Sequence, residues 1–426
     1  MTQKNVIYTF LVSILIISII NIFFFFLLVN KFPNAIDEYN NIIIKNLTFF
    51  FGPLLDNFIN KNEYYFNFGY HDLSFKYYLG RMPFIPFFIK FTYIIISKKF
   101  LIILLFKNIF FFSLIILIIQ RKIKNFYLFF IFLFLLIYNP HNIFTLTSLI
   151  PEEGYIGYLL VIIYLLTTQF SNRTSIIFLS IFLSFVYLTK ASMTYFCYTF
   201  SIYLFFLYKK KINYKYAVLP IFFLLLSYIS WSTFGYIKLN KIINPLSVSS
   251  MSGSTLIVSS NEKFNNYYPL TTPDYLEEIM WERYKNQINN ISKDELDVNN
   301  FFIKKSLNYI YENKLDYFIS IFKKLELIFF NIKKDGQPIG HPDYNSIRVS
   351  TIFNKIFFIS TLLIIINNIS KRRTKEEDKI FCIIFFSYIF PYIIGWVYER
   401  HMIPMYLISH LYIFFYLKDK YKNYFN

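Results

Sequence analysis

The hydrophobic pattern of this chain is a series of long apolar runs separated by short polar turns. A helix needs about 20 apolar residues to cross the hydrocarbon core of a bilayer, so each long run predicts a membrane-spanning helix. A shorter run at 84–97 contains Lys90 and predicts an interfacial or re-entrant helix. The fold class is therefore an all-α polytopic membrane protein with about ten transmembrane helices by window length. The predicted spans are 6–29, 101–119, 126–144, 153–169, 175–189, 192–208, 217–237, 353–369, 380–398 and 402–417.

Two long polar stretches interrupt the apolar runs and divide the chain into three regions. Residues 30–100 are the first long segment, and they belong to an N-terminal membrane region, 1–237. Residues 238–352 are the second long segment, which we predict to be a separate domain outside the membrane. The C-terminal membrane helices follow at 353–426.

Local signals predict structure within the second long segment. Ser247–Ser260 is rich in serine and predicts a flexible loop. Pro273–Tyr284 begins with a Thr-Pro-Asp start signal and predicts a helix. Asn299–Phe330 is amphipathic and bears lysines, which predicts a helix lying on the membrane surface. Asp335–Asp343 is rich in turn residues.

Composition and charge support this interpretation. The chain is 56% hydrophobic, 23% aromatic and 16% charged, which excludes a soluble domain of this size. Its net charge of +18 gathers at helix ends, as expected for topology signals and contact with anionic lipid rather than for nucleic-acid binding. Both cysteines, Cys197 and Cys382, fall in apolar runs, so they predict neither a disulfide framework nor a cysteine metal site.

The distribution of charge predicts the orientation. Basic residues of the short loops concentrate on one side, which the positive-inside rule assigns to the cytoplasm together with both termini. Of the 25 acidic residues, five lie in the first long segment and thirteen in the second, on the opposite side. The first apolar run is too long for a signal-peptide core and lacks a cleavage site, so it predicts a retained helix. The chemistry is therefore expected on the outer face.

The candidate chemistry begins with Asp37 and Glu38, directly after the first apolar run. A carboxylate pair where a helix leaves the bilayer is costly to place and marks a functional site. Four further polar elements follow in chain order, all on the predicted outer face. They are Gly80-Arg81-Met82-Pro83-Phe84-Ile85-Pro86, Pro151-Glu152-Glu153, Tyr187-Leu188-Thr189-Lys190 and Glu399-Arg400-His401-Met402-Ile403-Pro404.

These five elements, in this order, resemble the GT-C-type membrane glycosyltransferases, particularly bacterial relatives of protein O-mannosyltransferases and of the lipid A aminoarabinose transferase. The resemblance implies a GT-C-like fold with two large outer loops in the bacterial cytoplasmic membrane. It also implies inverting transfer of a glycosyl group from a polyprenyl-phosphate donor to a lipid or polysaccharide acceptor. The chain lacks the Trp-Trp-Asp signature of oligosaccharyltransferases, which argues against protein N-glycosylation.

The resemblance also implies roles for individual residues. Asp37 is the expected catalytic base, and Glu38 orients it or shares a divalent cation with it, the one cofactor that this sequence suggests. Arg81 and Arg400 are expected to bind the donor phosphate, because guanidinium groups form bidentate pairs with phosphate oxygens, and Lys190 is a third candidate cation. Anchoring of these charges at the membrane interface is the alternative explanation.

Three further residues are candidates with two interpretations each. Glu152 and Glu153 supply a metal ligand or an acceptor contact, or else they stabilise a helix N-terminus. His341 belongs to the acceptor site or a metal site, or else has a structural role in its loop.

Two other functions compete with glycosyl transfer. One is a polysaccharide polymerase or ligase of the O-antigen type, and the other is a flippase or transporter of lipid-linked oligosaccharides. Transporters use helices broken by Gly and Pro at mid-membrane, whereas this chain has ten Gly in all. A Gly-rich phosphate loop is absent from the sequence, which argues against a nucleotide-sugar donor. The expected partners are the lipid-linked donor, a lipid or glycan acceptor and membrane lipids.

Overall fold

The structure, a computed structural model, is mostly helical. It describes residues 10–16, 18–19, 22, 51–70, 73–120, 152–169, 172–209, 212, 214–267, 273–291, 294–330, 344–395, 397 and 399–420. The helices of these ranges are α1 Phe51–Asn60, α2 Phe84–Ile95, α3 Phe100–Gln120, α4 Glu152–Gln169, α5 Arg173–Thr189, α6 Met193–Lys209, α7 Tyr214–Ala217, α8 Leu219–Leu239, α9 Ser252–Ser259, α10 Phe264–Tyr267, α11 Pro273–Ile291, α12 Glu295–Glu312, α13 Lys314–Phe329, α14 Tyr344–Ser370, α15 Glu376–Ile394 and α16 Ile403–Lys420.

Helix α4 is the buried centre of the helical bundle. Its side chains from Gly154 to Thr167 are all buried, as expected of a helix that is apolar on every side. It contacts α3, α5, α15 and α16. At Gly157 an added Cβ would lie 2.9 Å from Leu407 Cδ1 of α16, so the small residue permits a close helix crossing. The first residue of α4 is Glu152, and the bundle end that it occupies is called the Glu152 end below.

Three helical stretches are long and apolar enough to cross a membrane: Ile102–Ile119, Tyr214–Leu239 and Thr351–Ser370. In the most apolar part of the second and third stretches, only 28% of the residues are buried inside the protein. An exposed apolar helix surface is suited to lipid rather than water, so the structure supports an all-α membrane protein. Ten spanning helices are not established by these three.

The described part of the first long segment contains a small hairpin that the sequence did not predict. Strands β1, Phe66–Phe68, and β2, Phe75–Tyr77, pair antiparallel with Phe66 opposite Tyr77. The short helix expected at 84–97 is present as α2. Its Lys90 Nζ donates to Phe58 O at 2.7 Å, which explains how a lysine fits an apolar helix: it faces α1.

Helix α2 turns an apolar stripe outward. Phe87, Phe91, Ile94 and Ile95 are all more than half exposed. Their spacing places them on one side of the helix, as expected for contact with the lipid interface.

The serine-rich stretch of the second long segment is not the flexible loop that its composition predicts. Ser252–Ser259 forms helix α9, packed on α11 and α12. Its hydroxyls bond back to helix carbonyls, as in the 3.0 Å bond from Thr255 Oγ1 to Met251 O. Gly253 N–H donates to Asn299 Oδ1 at 2.7 Å. Close packing on α12 therefore overrides the low helix propensity of serine.

The predicted helix over Asn299–Phe330 is instead two helices, α12 and α13. They are separated by Asn313, whose φ of −122° and ψ of 54° are not helical. The helix predicted at Pro273–Tyr284 is present and continues to Ile291. Exposed apolar residues Leu315, Phe318 and Phe322 line one face of α13. The turn-rich Asp335–Asp343 lies outside the described residues.

Candidate functional site

Three of the predicted site residues meet at the Glu152 end of the bundle. Arg81 Nη1 lies 3.5 Å from Glu152 Oε1, and Lys190 Nζ lies 3.2 Å from Glu152 Oε2. The Glu152 side chain is 9% exposed, whereas those of Arg81 and Lys190 are 22% and 19% exposed. One nearly buried carboxylate therefore holds two cations that are each partly open to solvent. This group is called the Arg81–Glu152–Lys190 cluster below.

The topology explains why these residues meet. Helices α4 and α5 pack against each other, and only three residues separate Gln169 from Arg173 in the sequence, so the first residue of α4 and the last of α5 share one end of the bundle. Lys190 is the residue that follows α5. Glu152 also lies at the N-terminus of α4, where the helix dipole favours a negative charge. The helix-terminal role considered for Glu152 is thus compatible with its ion pairs.

Arg81 reaches the cluster from the turn between β2 and α2. Its main chain is held in place, because Tyr64 Oη donates to Arg81 O at 2.9 Å. An added Cβ at the preceding Gly80 would lie 2.7 Å from Phe66 Cζ, so the aromatic ring of the hairpin covers this turn closely. The hairpin therefore supports the turn that carries the guanidinium group.

Aromatic and hydroxyl groups from α15 and the turn before α6 complete one side of the cluster. Lys190 Nζ lies 5.6 Å from the centre of the Tyr392 ring, within the range of a cation–π interaction. Ser192 Oγ donates to Tyr392 Oη at 3.3 Å. The ring centres of Tyr392 and His401 are 4.3 Å apart. Sequence reasoning missed Tyr392, because one tyrosine among 38 carries no distinctive signal.

The end of α15 is fastened by the second long segment. Ile394 O accepts hydrogen bonds of 3.0 Å from Ser259 Oγ and from Tyr317 Oη. Lys324 Nζ donates to Ile393 O at 3.0 Å and to Ile394 O at 3.3 Å. Burial lowers the pKa of the Lys324 amine to about 7, because its surroundings disfavour the charged form. These contacts hold the chain just before the Glu399–Met402 turn, which carries Arg400.

Other predicted site residues are described in part or not at all. Asp37, Glu38 and His341 lie outside the described residues, so their predicted roles remain predictions. The main chain of Arg400 forms part of the 3₁₀ turn Glu399–Met402, next to His401. The side chains of Arg400 and Glu153 are not among those described.

The cluster contains two residue types that can bind anions. A guanidinium and an ammonium group converge on one carboxylate, and both kinds of cation bind phosphate oxygens through charge-assisted hydrogen bonds. Because both Glu152 oxygens face cations, its role in this geometry is to orient Arg81 and Lys190. Within the described ranges, no group of three His, Cys, Asp or Glu residues is arranged to hold a metal ion.

Comparison with known proteins adds no relative. No family model, no curated protein and no solved structure matches this chain.

Proposed function

We propose that this protein transfers a glycosyl group from a polyprenyl-phosphate donor to a lipid or polysaccharide acceptor on the outer face of the bacterial cytoplasmic membrane. The observation that carries the proposal is the Arg81–Glu152–Lys190 cluster. Residues from three elements far apart in the sequence converge there on one carboxylate. Two of the three, Arg81 and Lys190, are the residue types that bind phosphate.

We also propose a GT-C-like architecture with both termini in the cytoplasm. The lengths of the apolar runs correspond to about ten spanning helices. In that topology the Glu152 end faces outward, and the apolar stripe of α2 lies beside it at the membrane interface. The long apolar tail of a lipid-linked donor is compatible with this location, since its phosphate and its tail prefer different surroundings.

The reaction follows from the proposed roles. The acceptor hydroxyl gives its proton to the Asp37 carboxylate, and its oxygen forms a bond to the anomeric carbon of the donor sugar. The bond between that carbon and the phosphate oxygen breaks, and polyprenyl phosphate leaves with the electron pair. Arg81 and Lys190 neutralise the charge that builds up on the leaving phosphate. The base contributes a factor of about 10² to 10⁴ in rate.

The proposal is tested with the full chain reconstituted in lipid vesicles and a polyprenyl phosphate that carries a radiolabelled sugar. We expect Arg81→Met and Lys190→Met to raise the KM for the donor about 10- to 100-fold, as expected for the loss of a hydrogen bond to a charged group. Arg173→Met, at the opposite end of α5, and Lys209→Met, at the end of α6, are matched controls with unchanged KM.

A second variant tests the base. Asp37→Asn should lower the rate by about 10² to 10⁴ while insertion into the membrane is unchanged. A fully active Asp37→Asn protein, or an unchanged donor KM in Arg81→Met, would contradict the proposal. Movement of labelled lipid across the bilayer without release of polyprenyl phosphate would identify a flippase instead.

A further inference from the structure

A second buried carboxylate lies behind the turn that carries Arg81. Glu295 begins helix α12 and is fully buried. Its Oε1 accepts hydrogen bonds from the main-chain N–H of Tyr78 at 2.8 Å and of Leu79 at 3.1 Å. Its Oε2 accepts from the Ser250 hydroxyl and from Leu79 N–H at 3.2 Å. Glu295 thus joins the first long segment to the second.

The bonds of Glu295 belong to a continuous series that ends at Arg81. Leu79 O accepts from Ser250 N–H at 3.3 Å, and Gly80 O accepts from the Ser249 hydroxyl at 3.3 Å. The next carbonyl, that of Arg81, is held by Tyr64. Each of residues 78–81 therefore makes at least one hydrogen bond through its main chain. Those of the Tyr78 and Leu79 N–H groups are accepted by Glu295.

Hydrogen-bond donors, and not a neighbouring cation that the structure describes, stabilise the ionised carboxylate of Glu295. Among the described residues, no Lys or Arg forms an ion pair with it; Lys241 instead contacts Asp294 and Asp297 at 2.8 and 2.7 Å. Burial raises the pKa of Glu295 to about 7, and its hydrogen bonds oppose that rise only in part. The ionisable groups that interact electrostatically with Glu295 are Asp294, the residue before α12, and the tyrosines Tyr64 and Tyr77. Lys241 and Asp297 pair beside Asp294, and Glu277 of α11 acts on Tyr77.

We propose that Glu295 is a positioning residue for Arg81: by binding the main chain of Tyr78 and Leu79, it fixes the turn that presents the guanidinium group to Glu152. The ionised carboxylate accepts all of these bonds. While the side chain stays buried, a protonated carboxyl gives up acceptor capacity on the oxygen that carries the proton, so the turn is held less firmly. The cost of burying the charge is recovered only when the protein unfolds and Glu295 meets water, so it affects global stability and not the hold on the turn. The expected effect on the KM for the donor rests on the proposed function, whereas the expected effect on the conformation of residues 78–81 does not.

The test of the turn uses limited proteolysis of the full-length protein in detergent at pH 8. Trypsin cleaves after arginine, so release of the turn exposes the bond after Arg81, which mass spectrometry identifies. We expect Glu295→Ala to speed cleavage at that bond at least about tenfold relative to the wild type, because Tyr78 N–H and Leu79 N–H both lose their acceptor and the loss of a single charge-assisted hydrogen bond already accounts for about that factor. Glu295→Gln, which keeps an acceptor oxygen, should show a smaller increase. Glu312→Gln, at the exposed end of the same helix, should match the wild type.

The test of turnover uses the donor assay described above between pH 6 and 8. The wild-type KM for the donor should fall with rising pH through about 7, the pKa of Glu295, and the profile of Glu295→Gln should be flat in that range. Unchanged cleavage at Arg81 in Glu295→Ala, or a donor KM and pH profile in Glu295→Gln equal to those of the wild type, overturns the inference. If the wild type transfers no sugar, the proposed function fails, and the proteolysis result still decides the role of Glu295.

Discussion

Replacing Glu152 by Gln tests the Arg81–Glu152–Lys190 cluster most directly, because the side chain keeps its shape and loses its charge. The two cations lie 3.5 and 3.2 Å from the carboxylate oxygens. At such distances each cation attracts the carboxylate by about 5 kcal/mol for an effective dielectric constant of about 20. Repulsion between the two cations and the cost of removing water from the carboxylate offset most of this attraction. Since the cations are partly exposed, we expect a net loss of roughly 2–3 kcal/mol, between the values for exposed and buried ion pairs.

The assay is denaturant unfolding of the purified protein in detergent at pH 7. Lys190→Met and the double variant Glu152→Gln/Lys190→Met complete a double-mutant cycle. In a protein that already lacks Lys190, Glu152→Gln removes only the ion pair with Arg81. The double variant should therefore be less destabilised, by about 1 kcal/mol or more, than the sum of the effects of the two single variants. Glu312→Gln is the control for removal of an exposed charge.

Two results would refute this reasoning. One is a change below about 0.5 kcal/mol in Glu152→Gln, the size of an ordinary surface substitution. The other is strict additivity in the cycle, which would mean that Glu152 and Lys190 do not interact in the folded protein. Unchanged donor affinity in Glu152→Gln would mean that groups other than Glu152 position the two cations.

Three further predictions concern the buried groups that fasten the second long segment. Burial raises the pKa of Glu295 from 4.5 to about 7, so the folded protein holds a proton that the unfolded chain has lost. The free energy of unfolding should therefore fall by about 3 kcal/mol as pH rises between those values, and Glu295→Gln should abolish this slope in denaturant titrations. Burial lowers the pKa of Lys324 from 10.5 to about 7, so the unfolded chain binds the proton more tightly. Stability should rise by roughly 5 kcal/mol across that range, and Lys324→Met should show no such rise; an identical slope in the variant would contradict the assignment. Gly253→Ala would place a Cβ 2.3 Å from the carbonyl oxygen of Asn299. It should cost about 1–3 kcal/mol in the same titrations, and a neutral effect would show that α9 moves away from α12 easily.

The sequence alone locates the helices of the bundle closely. Apolar runs at 101–119, 153–169 and 175–189 correspond to α3, α4 and α5 within two residues at each end. Helical hydrogen bonds are local, and an apolar run of this length favours a buried or lipid-facing helix, so no knowledge of the tertiary contacts is needed. The same local reasoning failed for Ser252–Ser259, where packing on α12 decides the conformation.

The candidate site was predictable as a set of residue types and not as an arrangement. Arg81, Glu152 and Lys190 stand out in the sequence because they are charges beside apolar runs. The packing of α4 on α5 is expected of two helices that only three residues separate in the sequence. Which oxygen of Glu152 each cation contacts depends on how the turn after β2 folds over the bundle.

Glu295 and Tyr392 show what the tertiary structure alone decided. In the sequence, Glu295 is one acid in a polar stretch before the helix predicted at Asn299–Phe330, yet it is fully buried and bonded to residues of the first long segment. Tyr392 is one aromatic among many in an apolar run. Their contacts join parts of the chain that local preferences cannot relate, because burial and hydrogen-bond partners depend on which elements pack together. The sequence determined where the helices and charges lie, and the packing determined which charges act together.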